Sequence, residues 1–355
     1  MDGSRKLVEM ALRGERPPRT PIFDLLLNDA LIERFSGTPL DGTDDDSAVL
    51  AAHANALDAI PRLEFPKKNG ATHTDSWGNV WRSDRWTSWI AEPAVKGTER
   101  WVDFLERRVE EIEREAAKPV SDHEREAESA RQKKLNAKLG GTVLAHCAPS
   151  TSVNAAMFEF HCGLDDFTFL WFDHRDLLLR WMRAVEKREL RAVEIAAHPE
   201  NSPIAMIYSD VAFNERLIFS KEMFLELGFF ENLENLVAAC HDKGMAAVFH
   251  SDGCLDEVMP DLVATGIDAL HPVEKAAGMD IFALRRQYPE LTLVGGVDVT
   301  FLLRNATPRE IARETRKIIS ETGSEGRLMI GSTTEVDDGV PMENYLALRD
   351  EAMKG

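Results

Sequence analysis

Residues 245–274, MAAVFHSDGCLDEVMPDLVATGIDALHPVE, limit the fold more than any other stretch of this chain. Residues 246–249 are a short apolar run that stops abruptly at His250, Ser251, Asp252, Gly253 and Cys254, so a strand tip delivers an imidazole, a hydroxyl, a carboxylate and a thiol to one place. Leu255, Val258, Met259, Leu262 and Val263 then follow the 3.6-residue spacing of a helix that buries one face, with Gly266 placed to cap it. A second short run, 268–270, ends in His271, Pro272 and Glu274. Two strands with polar tips bridged by a helix make a βαβ unit, and such units imply a parallel sheet. One polar tip alone is explained by caps and turns, whereas polar tips on successive strands favour a site.

The rest of the chain repeats the pattern. Residues 4–16 read as a short amphipathic helix ended by Gly14 and the prolines 17, 18 and 21, after which Ile22 and Phe23 open a strand leading to Asp24. Residues 47–60 read as an alanine-rich helix, and 73–89 as a strand and turn dense in aromatics. A charged helix over 120–139 precedes a strand at 142–145 whose tip carries His146 and Cys147. The stripe through Leu177, Leu178, Trp181, Met182, Val185 and Leu190 predicts a long helix, and the strand 204–208 ends in Ser209-Asp210. Further strands at 291–294 and 328–330 alternate with helices at 281–287, 308–321 and 343–354, and Ser332, Thr333, Thr334 and Glu335 follow the last strand.

That is at least seven strands, with an eighth expected from 73–89 or from near 160. The expected architecture is α/β, a single (β/α)8 barrel whose active site lies at the C-terminal ends of its strands. The length of 355 residues suits one such domain, with 1–140 as an N-terminal helical and aromatic extension plus the first strand, and 141–355 as the main run of βα units. An open doubly wound sheet is the alternative, but no G-x-G-x-x-G follows an early strand.

Composition excludes more than it selects. The net charge of −19 opposes nonspecific binding to nucleic acid phosphates. No apolar run reaches the roughly 18 residues of a membrane span and the amino terminus has no signal-peptide core, so a cytoplasmic location is expected. Cys147, Cys162, Cys240 and Cys254 are too few and too scattered for a disulfide framework.

Several segments, taken in order, carry a resemblance: Arg19 and Pro21 near the start; Asp75, Trp77 and Gly78; Ser209-Asp210 with Phe219-Ser220-Lys221; FHSDG at 249–253 followed by Gly266-Ile267-Asp268 and Pro272; Gly295-Gly296-Val297-Asp298; and Pro341 with Glu343-Asn344. Together they resemble the uroporphyrinogen decarboxylase-like superfamily over nearly the whole chain, which implies a (β/α)8 barrel. True decarboxylases of that superfamily use no metal and hold their tetrapyrrole with arginines of an N-terminal R-Q-A-G-R motif, which PIFDLLLNDALIERF lacks. The other branch moves methyl groups between a small compound or thiol and a corrinoid carried on a separate protein, often as dimers. Its thiol-methylating members hold zinc with a His-x-Cys pair and a distant Cys. Here His250 matches, Asp252 replaces the first Cys, and Ser332, Thr333 and Glu335 stand where the last would be.

The resemblance favours a methyltransferase of O-demethylase type acting on a small methoxylated or methylated compound, with zinc as an expected metal and a corrinoid protein as an expected partner. His250, Asp210 and Asp24 are the catalytic candidates. His250, Glu335, Asp252 and Cys147 are the metal candidates, and His146, Trp77 and Ser220 the substrate contacts. The alternative is a metal-free carboxy-lyase acting on a tetrapyrrole or other carboxylate, with Asp24 or Asp210 steadying positive charge on a pyrrole-like ring. A binding scaffold without chemistry is a third reading.

Overall fold

In the computed structural model, which describes residues 3–75 and 77–354, parallel pairing passes from segment to segment across the molecule. The longest ladder orders five strands, Ile204–Tyr208, Ala246–His250, Ala269–His271, Thr292–Val297 and Leu328–Ser332. Ile330 bridges Ile22 in parallel, Phe23 bridges Ala59, the strand Ala59–Ile60 pairs with Val143–Leu144, and Cys147 bridges Ala205 back at the start of the ladder. Helices fill the intervals, including Arg175–Ala196, Phe229–Asp242 and Pro308–Thr322. No helix among the described residues is long and apolar enough to cross a membrane.

Two layers of apolar side chains follow from the alternation of strand residues. Phe23, Ala59, Val143, Ala145, Ile204, Met206, Val248, Ala269, Val294 and Met329 form one small cluster on one face of the strands, and a larger cluster includes the residues packed against the helices. Val8 and Ala11 of the helix Gly3–Arg13 complete the small cluster. The same helix takes the Arg327 N–H on the Ala11 carbonyl at 3.1 Å, next to the start of the strand Leu328–Ser332. The helix thus packs near where that strand begins, and the polar tips stand at the C-terminal ends of the strands.

Two expectations are corrected. A parallel strand, Ala59–Ile60, follows the shorter helix Asp45–Ala56, so that Ile22, Phe23, Leu26–Leu27 and Ala59–Ile60 all pair in parallel within the 1–140 portion. Residues 73–89 instead belong to an antiparallel meander of Thr72–Thr74, Val80–Ser83 and Ser88–Glu92, and the region near 160 is a π-helical turn, Ala155–Glu159. Asp75 ties the meander's first turn, accepting from the Trp77 and Asn79 amides, Asn79 Nδ2 and Trp81 Nε1, and these donors hold its carboxyl down at about 2.

Candidate active site

Parallel register sets Tyr208 beside His250 and His250 beside His271, one row across three adjacent strand ends. The Tyr208 ring meets the His250 ring edge-on at 5.1 Å between centroids, and Phe23 lies 5.0 Å from His271. Within the row His250 Nδ1 and His271 Nδ1 are 2.8 Å apart, a hydrogen bond in which one imidazole donates and the other accepts. Both rings are buried, and burial drives the pKa of His250 down to about 4 and that of His271 well below its ordinary value, so both are neutral at pH 7.

The outer nitrogen of His250 faces two carboxylates. Nε2 lies 3.6 Å from Asp210 Oδ1, and His250, Asp210 and Asp252 each bring a ligand atom to within 4.8 Å of the other two. Asp210 is held by its own backbone, whose N–H donates to Asn154 Oδ1 at 2.9 Å, and Asp210 Oδ1 accepts the Asp252 N–H at 3.3 Å. Asn154 immediately precedes the π-helical turn, a distortion that often accompanies functional sites. Gly253 lets the chain leave Asp252: at φ +92° a side-chain carbon there would lie 2.7 Å from the Ala212 carbonyl, and its N–H donates to Glu274 at 2.7 Å.

Asp252 is the group out of balance. Its Oδ1 is buried without a hydrogen-bond partner, and burial, then the charges of Asp210, Glu274 and Glu335, push its pKa up to about 7. A buried polar oxygen left unpaired costs about 1–3 kcal/mol, and a cation among these groups would relieve that cost and the crowding of like charge together. One nitrogen and two carboxylates form an open donor set suited to zinc or another divalent ion.

The other sequence candidates lie elsewhere. Cys147 is buried beside the Cys240 side chain, and neither it nor Glu335 belongs to the His250 cluster. Val143 and Ala145 face the small cluster while Cys147 faces the larger one, so strand alternation slips between them and turns the thiol away. Glu335 stands near Arg62, 3.7 Å away, and accepts from the Thr334 hydroxyl. Asp24 accepts from the Ser332 N–H and hydroxyl and from the Leu25 N–H, which occupies both of its oxygens. Hydrogen bonds to a charged acceptor are worth about 1.5–3 kcal/mol each, yet burial outweighs them and raises the Asp24 pKa to about 7. His146 pairs with Asn136 at 2.7 Å, the Trp77 ring packs on Phe104, Phe160 and the Arg108 guanidinium, and Ser220 caps the helix Lys221–Glu226.

His271, Tyr208, Arg62 and Asn154 are the members that strand-tip reasoning did not assign. For His271 the signal was present, a histidine at the very next tip, but its role depends on register.

No family model and no curated protein matches this chain. Among solved structures, one described as a methyltransferase from Methanosarcina mazei aligns with a TM-score of 0.62 at 14% identity, covering 99% of this chain and 98% of that one. At that identity the likeness establishes a shared α/β fold over the full length.

Proposed function

We propose that this protein is a methyltransferase built on a closed (β/α)8 barrel, taking a methyl group from a small methylated or methoxylated compound at a divalent metal held by His250, Asp210 and Asp252. The observation that carries the reading is the His250 cluster at the C-terminal strand ends, where barrels of this kind do their chemistry. The continuous parallel pairing from Ile22 round to Ile330 supports the barrel, and the methyltransferase described for the structural neighbour supports the reaction class. The acceptor in this reading is a corrinoid carried by a separate protein. Zinc, when bound, would draw electron density from the methyl-bearing heteroatom and so make it a better leaving group.

The chain's own residues prepare that site. In this reading His271 accepts the His250 Nδ1–H, which would leave the lone pair of His250 Nε2 directed at the ion and fix the ring's orientation. Neutrality of His250 at pH 7, imposed by burial, keeps that lone pair available. Asp210 and Asp252 would supply the opposing charge, and a cation bound there would favour the ionised form of Asp252. The carboxy-lyase alternative keeps only Asp210, since both Asp24 oxygens are engaged by strand backbone and Ser332.

Metal analysis of the purified protein and methyl transfer to an added corrinoid protein test this reading. About one divalent ion per chain is expected, and His250→Ala should weaken metal affinity by about a hundredfold or more and abolish transfer. A metal-free wild-type protein together with undiminished transfer in His250→Ala would sink it.

A further inference from the structure

Several arginines of this protein spend their forks on carboxylates of the chain. Arg19 meets Asp58 at 2.6 and 2.8 Å, Arg180 meets Glu113 at 3.0 and 2.6 Å, and Arg316 meets Glu351 at 2.6 and 2.9 Å, each through two guanidinium nitrogens. Arg62 differs. It stands just past the strand Ala59–Ile60, and its carboxylate neighbours are Glu64 at 3.4 Å and Glu335 at 3.7 Å, both beyond the roughly 2.7–3.2 Å of a formed N–H···O bond.

The location matters as much as the looseness. The Tyr208 hydroxyl lies 3.5 Å from the Pro61 carbonyl, next to Arg62, and the same Tyr208 ring lies against His250, so one aromatic plate spans from Arg62 to the His250 cluster. Arg62 is also the cation that His250, His271 and Asp252 all sense, in a region otherwise populated by Asp210, Asp252, Glu274 and Glu335. A guanidinium offers several donors matched to a carboxylate; Arg62 turns one toward the Tyr208 hydroxyl, and neither glutamate is close enough to take the others.

We propose that Arg62 recognises a carboxylate on the compound whose methyl group is transferred, so that the substrate class is a small methylated or methoxylated carboxylic acid. The proposal rests on the methyl-transfer reading of the His250 cluster. The acid group would displace Glu64 and Glu335 from their loose contacts and accept two hydrogen bonds from Arg62. The methyl-bearing heteroatom would then point across Tyr208 to His250, Asp210 and Asp252. The surrounding carboxylates make the recognition selective, because an acid group anywhere else in the mouth meets like charge.

The test uses a matched pair of probes, 4-methoxybenzoate and methoxybenzene, titrated calorimetrically into the full-length, metal-loaded protein. Wild type should bind the acid at least about tenfold more tightly than the neutral ether, and Arg62→Gln should erase that preference. Arg62→Lys, which keeps the charge without the fork, should fall between. Thermal midpoints and metal content of both variants check that they fold and load. The proposal is overturned if wild type shows no preference for the acid, or if Arg62→Gln keeps it. If the preference survives in Arg62→Gln but vanishes in His250→Ala, the acid binds the metal and Arg62 has no part in recognition. Loss of metal from His250→Ala bears only on the metal reading, so the two failures are distinguishable.

Discussion

Two buried histidines, His53 and His250, are each held neutral with a pKa near 4, and they differ in what their ring nitrogens meet. His53, in the helix Asp45–Ala56, has Nδ1 2.8 Å from the Val49 carbonyl and accepts the Leu26 N–H on Nε2 at 3.3 Å. Both nitrogens serve the backbone, and nothing is left for a ligand. His250 gives one nitrogen to another imidazole and leaves the second 3.6 Å from a carboxylate, too far for a hydrogen bond. Burial and a lowered pKa are therefore common to a structural histidine and a functional one. What separates them is a ring nitrogen with no backbone partner, close to an Asp252 oxygen that has none either.

Replacing His53 should have the largest effect. His53→Leu removes the acceptor of a buried amide and the donor to a carbonyl, and should destabilise the protein by about 2–4 kcal/mol in urea unfolding. Metal content per folded chain should not change; loss of the ion in a folded His53→Leu protein would mean the two histidines are not independent. Next in size is the partner of His250. His271→Leu should weaken zinc or cobalt binding by about 10–100-fold in a chelator competition, and His271→Asn, whose side-chain oxygen can accept as His271 Nδ1 does, should recover most of it. Equal affinity in His271→Leu and wild type would remove His271 from its positioning role.

The smallest effect is a proton. Because the folded pKa of His53 lies below its ordinary 6.5, the unfolded chain takes up a proton first as pH falls. Its contribution to stability is fully present above pH 6.5 and is lost between 6.5 and about 4, amounting to at most about 3 kcal/mol. Near pH 5, His53→Leu should therefore take up about one proton fewer on unfolding than wild type, measurable by calorimetry in buffers of different ionisation enthalpy. An unchanged proton count would show that His53 titrates normally in the folded protein.

Parts of the site carried by neighbouring residues on one tip were legible in the sequence. His250 and Asp252 are two apart, and Asp210 ends the preceding strand in the ladder. What lay outside reach depended on pairing between strands. The His250–His271 bond follows from a register of His250 opposite His271 that no local pattern encodes. Cys147 falls outside the His250 cluster because alternation slips between Ala145 and Cys147, and the hydrogen bonds of Asp24 depend on Ser332, 308 residues away. The strand Ala59–Ile60 is two residues long, too short to show any period beside an alanine-rich helix.

The meeting of Ile22–Phe23 with Ile330 has a consequence for how the chain is made. Gly331 leaves room there for the Phe23 carbonyl, a space any side chain would fill, and Asp24 fastens the junction through Ser332. The first parallel segment thus finds one of its two neighbours only after some three hundred further residues have been synthesised. Until then its inner face and one backbone edge lie open, a template for unwanted strand pairing. Growing from the amino terminus, the chain carries an unfinished seam for most of its synthesis, and the arrival of Leu328–Ser332 and then Val336–Asp337 is what seals it.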